Sequence, residues 1–164
     1  MSARTGLPEL AGAAAQPDGA AVFSHLLRVY WEDTDAGGVV FYANYLKFFE
    51  RARTEWLRSL GVAQQSLRER TGAIFIVSDT ALRYRAPARL DDLLRITVSP
   101  VQTGRASMTL AQQAWRLHDT PVGQPADGAP ATLLCEGQIR IGCVDAGTFR
   151  PRRFPSPITE VLCP

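Results

Sequence analysis

Apolar and polar positions along this chain follow two rhythms, and the switch between them divides it. From Tyr42 to Leu60 the apolar residues Tyr42, Tyr45, Leu46, Phe49, Ala52, Trp56, Leu57 and Leu60 recur in steps of three, one or four. Asn44, Lys47, Glu50, Arg51, Glu55 and Arg58 fall mostly between them. That spacing predicts an amphipathic helix. Gly61 is placed to stop it, and Arg58 sits in its last turn, where a cation complements the helix dipole. At 1.5 Å per residue such a helix is about 28 Å long, enough to cross a sheet.

Ahead of the helix, residues 24–31 are rich in apolar and aromatic side chains and predict a strand. The polar, glycine-containing run Glu32-Asp33-Thr34-Asp35-Ala36-Gly37-Gly38 follows as a turn. A shorter helical stretch covers residues 63–69. From Ala73 onward the pattern turns strand-like, over 73–84, 93–103, 107–118 and 132–144, with Thr103-Gly104 as a tight turn. Residues 119–130 carry three Pro and two Gly, which predicts a mobile loop. The segment from Gly147 is rich in Pro and Arg and is expected to pack loosely. No internal repeat is visible. The helix must cover its apolar stripe, and the strands supply the cover. The economical arrangement is an α+β architecture in which a curved antiparallel sheet wraps a long central helix, the hotdog fold.

Composition narrows the picture. The 164 residues suit one domain, and 46% hydrophobic with 21% charged residues is the profile of a soluble globular protein. Residues 1–22, rich in Ala, Gly and Pro, predict a disordered N-terminal arm and lack the features of a secretory signal. The folded domain is expected over 23–155, with 156–164 as a C-terminal tail. A formal charge of +2 gives no reason to expect nucleic acid, and no apolar run is long enough to span a membrane. Cys135, Cys143 and Cys163 are odd in number and form no CxxC pair, which predicts reduced thiols in a cytoplasmic protein and neither a disulfide framework nor a zinc site.

The candidate chemistry lies in the turn. A carboxylate, Asp35, stands just before Gly37 and Gly38 and ahead of the helix. Helix-opening amides have no intrahelical partner and carry partial positive charge, so they can stabilise an oxyanion. Glycines let a ligand approach the backbone. Taken alone, an Asp before a helix is more often simply an N-cap. His25 and His118 are the only histidines, and neither falls at this turn or on the helix, which weakens a dehydratase reading. His118, bordering the Pro-rich loop, is expected to be solvated. Glu50 is expected to pair with Arg53 or across a subunit interface.

The run from Tyr30 to Tyr45, and within it Glu32-Asp33-Thr34-Asp35-Ala36-Gly37-Gly38-Val39-Val40, resembles the active-site segment of the 4-hydroxybenzoyl-CoA thioesterase family. It is most similar to the acyl-CoA thioesterases encoded alongside the bacterial Tol-Pal system (YbgC-like). The likeness continues through Phe49-Glu50-Arg51-Ala52-Arg53-Thr54-Glu55 and again through Tyr84-Arg85-Ala86-Pro87-Ala88-Arg89-Leu90-Asp91-Asp92. The resemblance implies the hotdog fold and hydrolysis of an acyl-CoA to free acid and CoA without a cofactor. It implies Asp35 as the catalytic carboxylate, acting as nucleophile or as base on a water, and the Tyr42 backbone N–H as the donor that polarises the carbonyl. Gly37, Gly38 and Val39 would border the substrate. Arg83, Arg85, Arg89 and Arg105 are candidates for the CoA phosphates, with Arg85 and Arg89 flanking the matched segment, and Asp33 is expected to shape the turn or hold Asp35. Phe49, Trp56, Phe75 and Val77 could line an acyl path, although core packing explains them equally well. A site shared between subunits, in a homodimer or a homotetramer, is also implied. The alternative is a non-catalytic acyl-binding or acyl-carrier-protein-interacting scaffold in membrane biogenesis. A scaffold, however, has no need of a carboxylate at the helix opening.

Overall fold

In the computed structural model, residues 22–118 and 130–162 are described. Five strands form one antiparallel sheet in the order β1-β3-β4-β5-β2. They are β1 (Phe23–Arg28), β2 (Ala73–Tyr84), β3 (Leu93–Thr103), β4 (Ser107–Leu117) and β5 (Ala131–Asp145). The helix α1 (Asn44–Ser59) lies against β1, β3 and β4, and α2 (Gln64–Thr71) lies against β2. The expected α+β hotdog arrangement is therefore present.

The periodicity of α1 is what seats it. Tyr45, Phe48, Phe49, Ala52, Trp56 and Leu57 are buried, and they share one core with Leu94, Ile96, Val98, Leu110 and Ala114 of β3 and β4. Full burial of each large apolar side chain contributes about 1.5–3 kcal/mol. One polar pair interrupts this layer. Gln112 on β4 is fully buried, donates from Nε2 to the Phe49 carbonyl (3.0 Å) and accepts from Arg53 Nη1 (2.8 Å). A buried amide needs both partners, and here it has them.

Three register shifts interrupt the ladders, at Val77/Asp79, Pro100/Gln102 and Ala114/Trp115. Such irregularities raise local twist and bend strands. Gly137 on β5 marks the tightest strand contact, because a Cβ there would sit 2.3 Å from Leu82 Cδ2 and 2.6 Å from the Ala81 carbonyl. The sheet's two outer strands are β1 and β2, and the outer edge of β2 has no partner strand among the described residues.

Several expectations need correction. The first strand stops at Arg28 instead of reaching Trp31, because Val29 leaves the ladder to bond the Asp92 carbonyl (3.0 Å) and Trp31–Asp33 form a 3-10 turn. The chain after Gly147 packs more tightly than its composition predicts. Phe154 is buried, α3 (Ser156–Leu162) follows, and its Ile158 enters the core. Apolar residues spaced between prolines were enough to anchor it. His118 is half-buried and hydrogen-bonded to Thr132 Oγ1 (2.7 Å), so it is not a solvated side chain. The predicted N-terminal arm up to residue 21, and the predicted mobile loop over 119–129, lie outside the described residues.

Candidate active site

Residues 33–41 form a closed loop between β1 and α1. Thr34 and Val40 make an antiparallel bridge, Asp35 N–H donates to the Val39 carbonyl (2.9 Å), and Phe41 N–H donates to the Asp33 carbonyl (2.9 Å). Gly38 closes the tip at φ +73°, where a side chain would be strained. No described atom lies within 4 Å of where its Cβ would be, so the space beside the tip is open.

Asp33 anchors this loop. It is only 3% exposed, and its Oδ2 accepts from Tyr30 N–H (2.9 Å). Its carbonyl accepts from both Phe41 N–H and Asn44 Nδ2 (2.9 Å each). Asp33 thus shapes the turn through the backbone and makes no hydrogen bond to the Asp35 side chain. Asp35 is exposed. Its Oδ1 accepts from Gly37 N–H (2.8 Å), while Oδ2 has no partner among the described residues. The simple N-cap alternative fails on geometry: α1 begins nine residues later, at Asn44, and has no side-chain cap.

The structure shifts Tyr42 as well. It lies two residues before α1, in the turn that leads into the helix. Its N–H has no acceptor among the described residues. The groups around it are taken. Phe41 C=O accepts from Asn44 N–H (2.8 Å), and Tyr42 C=O accepts from the Tyr84 hydroxyl (3.0 Å). A second tyrosine, Tyr45, is buried and its hydroxyl accepts from Ala88 N–H (3.3 Å), while Val40 N–H donates to the Ala88 carbonyl (2.8 Å). Burial pushes the Tyr45 hydroxyl up to about 12, so it stays protonated at any working pH. The loop and the helix mouth are therefore fastened to the segment between β2 and β3.

The other candidates separate. Arg85 is committed to an ion pair with Glu136 (2.5 Å). Arg89 is exposed, and its side chain has no partner among the described residues, its backbone N–H alone bonding Asp92 Oδ2 (2.8 Å). Glu50 accepts from Thr54 Oγ1 (2.7 Å), one turn along the same helix, and its charge also acts on Arg53. Phe49 and Trp56 are core residues, Phe75 packs against Phe154 (5.9 Å between rings), and Val77 is half exposed on β2. Burial pushes the Cys135 thiol up to about 12, which argues against a nucleophilic role. Among the described residues no three His, Cys, Asp or Glu side chains gather as metal ligands.

Sequence reasoning missed Asn44, Tyr84 and Tyr45 as parts of this site. Asn44 is polar at a buried helical position, a signal that was available in the pattern. Tyr84 reaches the site through a contact 42 residues away in the chain, which leaves no local signal.

A sheet of this order wrapped on one helix is the fold of a hotdog protein, and solved structures bear the likeness out. The chain superposes on a 1,4-dihydroxy-2-naphthoyl-CoA thioesterase from Synechocystis with a TM-score of 0.73, at 21% identity, covering 87% of this chain and 96% of that one. It superposes equally on a 4-hydroxybenzoyl CoA thioesterase mutant complexed with 4-hydroxybenzoyl CoA (TM-score 0.73, 17% identity, 87% and 99% covered). Sequence goes further. The family model of the thioesterase superfamily matches residues 37–122, over half of the chain. The acyl-CoA thioesterase YbgC of Haemophilus influenzae is 39% identical over 136 residues, spanning 83% of this chain and 90% of that protein. The acyl-CoA thioester hydrolase YbgC of Escherichia coli O157:H7 is 39% identical over 137 residues, spanning 84% and 92%. The chain belongs to the thioesterase superfamily and is a thioester hydrolase.

Proposed function

We propose that this protein hydrolyses an acyl-CoA thioester to the free acid and CoA, with Asp35 as the catalytic carboxylate and the Tyr42 N–H as the donor to the developing oxyanion. The observation that carries the reading is that the loop and its exit into α1 bear two unspent groups: a carboxylate oxygen of Asp35 and the amide of Tyr42. The thioester carbonyl oxygen would accept from Tyr42 N–H, which stabilises charge as the carbon turns tetrahedral. Asp35 would then act on that carbon, either directly through Oδ2, giving a mixed anhydride, or by taking a proton from an attacking water. The CoA thiolate leaves in either case. The hydrogen bond from Gly37 holds Oδ1 and so aims the other oxygen.

Space is open beside Gly38 at the loop tip, and the pantetheine arm would pass there, bordered by its neighbours Gly37 and Val39. Arg89, exposed and with its guanidinium unengaged among the described residues, is the better placed of the two arginines for a CoA phosphate, and Arg85 would contribute only by leaving Glu136. The site is completed by a second copy of the chain, in a dimer or a tetramer. Support comes from β2, whose outer edge is unpaired among the described residues and whose Ile76 and Val77 are exposed. Open strand edges with apolar side chains favour pairing. The location we propose is the cytoplasm: the buried Cys135 and Cys143 are free thiols, as expected of a reducing compartment, and no described helix is long and apolar enough to cross a membrane.

The test is thiol release from a panel of acyl-CoA thioesters of short to long chain, run beside the same acyl groups on acyl carrier protein. Turnover of CoA thioesters that disappears in Asp35→Asn supports the reading. A wild-type protein that binds acyl-CoA but releases no thiol from any member sinks it.

A further inference from the structure

We propose that Tyr84 is a positioning residue for this reaction, pinning the peptide that follows the Tyr42 N–H so that the Tyr42 carbonyl cannot turn toward the thioester oxygen; the inference rests on the function proposed above. The two residues are 42 positions apart, and the Tyr84 hydroxyl donates to the Tyr42 carbonyl at 3.0 Å. The Tyr84 ring meets Tyr42 edge-on at 6.4 Å between centroids and Tyr45 at 5.7 Å. Three aromatic rings therefore gather where the end of β2 meets the entrance to α1.

The geometry explains why that hydroxyl matters. A peptide group is planar and trans, so fixing its carbonyl fixes the N–H at its other side. The peptide carrying the Tyr42 N–H has its carbonyl on Phe41, and Asn44 N–H holds that carbonyl at 2.8 Å. The following peptide has its carbonyl on Tyr42, and Tyr84 holds it. Both planes flanking the Tyr42 Cα are thus pinned, one from the helix and one from the sheet. Without the hydroxyl the second plane is free to turn. Its carbonyl dipole could then swing toward the site, where it would repel an oxyanion, while the Tyr42 N–H stays held through the Phe41 carbonyl. Preorganised donors stabilise a transition state because they need no reorientation as charge develops. Tyr84 also stays a donor at neutral pH, since burial raises its hydroxyl above the ordinary tyrosine value.

The decisive variant is Tyr84→Phe, which keeps the ring and deletes the hydroxyl at a half-exposed position. On octanoyl-CoA, kcat is expected to fall about tenfold with KM little changed, because the lost contribution belongs to the transition state. The thermal midpoint should match wild type. A second measurement reads the carbonyl itself: the infrared stretch of octanoyl-CoA labelled with carbon-13 at the thioester, bound to Asp35→Asn so that no turnover occurs. Adding Tyr84→Phe to that background should move the stretch back toward its value in free solution. An unchanged kcat in Tyr84→Phe, or an unmoved stretch in the double variant, overturns the positioning role while leaving the thioesterase reading intact. Absence of wild-type turnover on every acyl thioester overturns that reading, and the positioning role with it.

Discussion

The Asn44 side-chain amide donates to the main-chain carbonyl of Asp33 at 2.9 Å, so the first residue of α1 holds the loop that carries Asp35. The bond is buried and spans eleven residues. Asn44→Ala would leave the carbonyl with one donor, from Phe41, in place of two. The expected cost is about 1–3 kcal/mol, read from urea denaturation. Turnover should fall further than stability, since the same bond sets the loop against the helix. Equal stability and equal turnover would show that the loop holds itself.

Asp35→Asn tests the carboxylate. Asn can still accept the Gly37 hydrogen bond, so the loop should close as before. It can act neither as base nor as nucleophile, and kcat should drop by about a hundredfold to ten-thousandfold. Circular dichroism should be unchanged. Repeated turnover of the wild-type protein in oxygen-18 water then tests for the nucleophilic route. Label found in Asp35 marks a mixed anhydride opened at the Asp35 carbonyl, whereas label confined to the product acid means only that water attacked the acyl carbon, on either route.

Val77→Asp places a charge on the exposed outer strand β2. If that edge joins two copies, sedimentation should shift toward the monomer and activity should fall with it. Charged residues on strand edges block pairing in this way. A variant that keeps the wild-type mass would move the subunit contact elsewhere.

Tyr45 gives a pH signature. Burial raises its hydroxyl from the ordinary 10.0 to about 12. The unfolded chain therefore releases this proton at lower pH than the folded one does. The stability tied to the protonated group is complete below about 10 and is lost as pH rises through about 12. Tyr45→Phe should flatten the alkaline end of the stability curve relative to wild type. A parallel decline in both proteins would mean that the hydroxyl is not what titrates.

Much of this architecture could be read in the sequence. The three-and-four spacing from Tyr42 to Leu60 predicted α1 to within two residues at its start and one at its end, and strands β2 and β3 have their expected bounds. Patterns of this kind work because one face of each element is buried. The errors fall where the backbone, and not a face, decides the structure. Trp31 is aromatic enough for a strand, yet the Asp33 carboxylate draws Tyr30 N–H into a 3-10 turn. Tyr42 fits the helical stripe but lies outside the helix, because Asn44 N–H bonds Phe41 C=O first. Asp35 was visible through its motif. The clamp of Asn44 and Tyr84 was not, since each contact joins residues distant in the chain and leaves no periodic trace.

Tyr84 is the last residue of β2, a strand secured on one side only among the described residues. Edge strands and element ends open at far lower free energy than a core does. Warming should therefore loosen the hook on Tyr42 while Phe48, Phe49 and the strands beneath them are still packed. The enzyme would then have two thermal ceilings, an earlier one for turnover and a later one for shape. A subunit docked along β2 would raise the first toward the second.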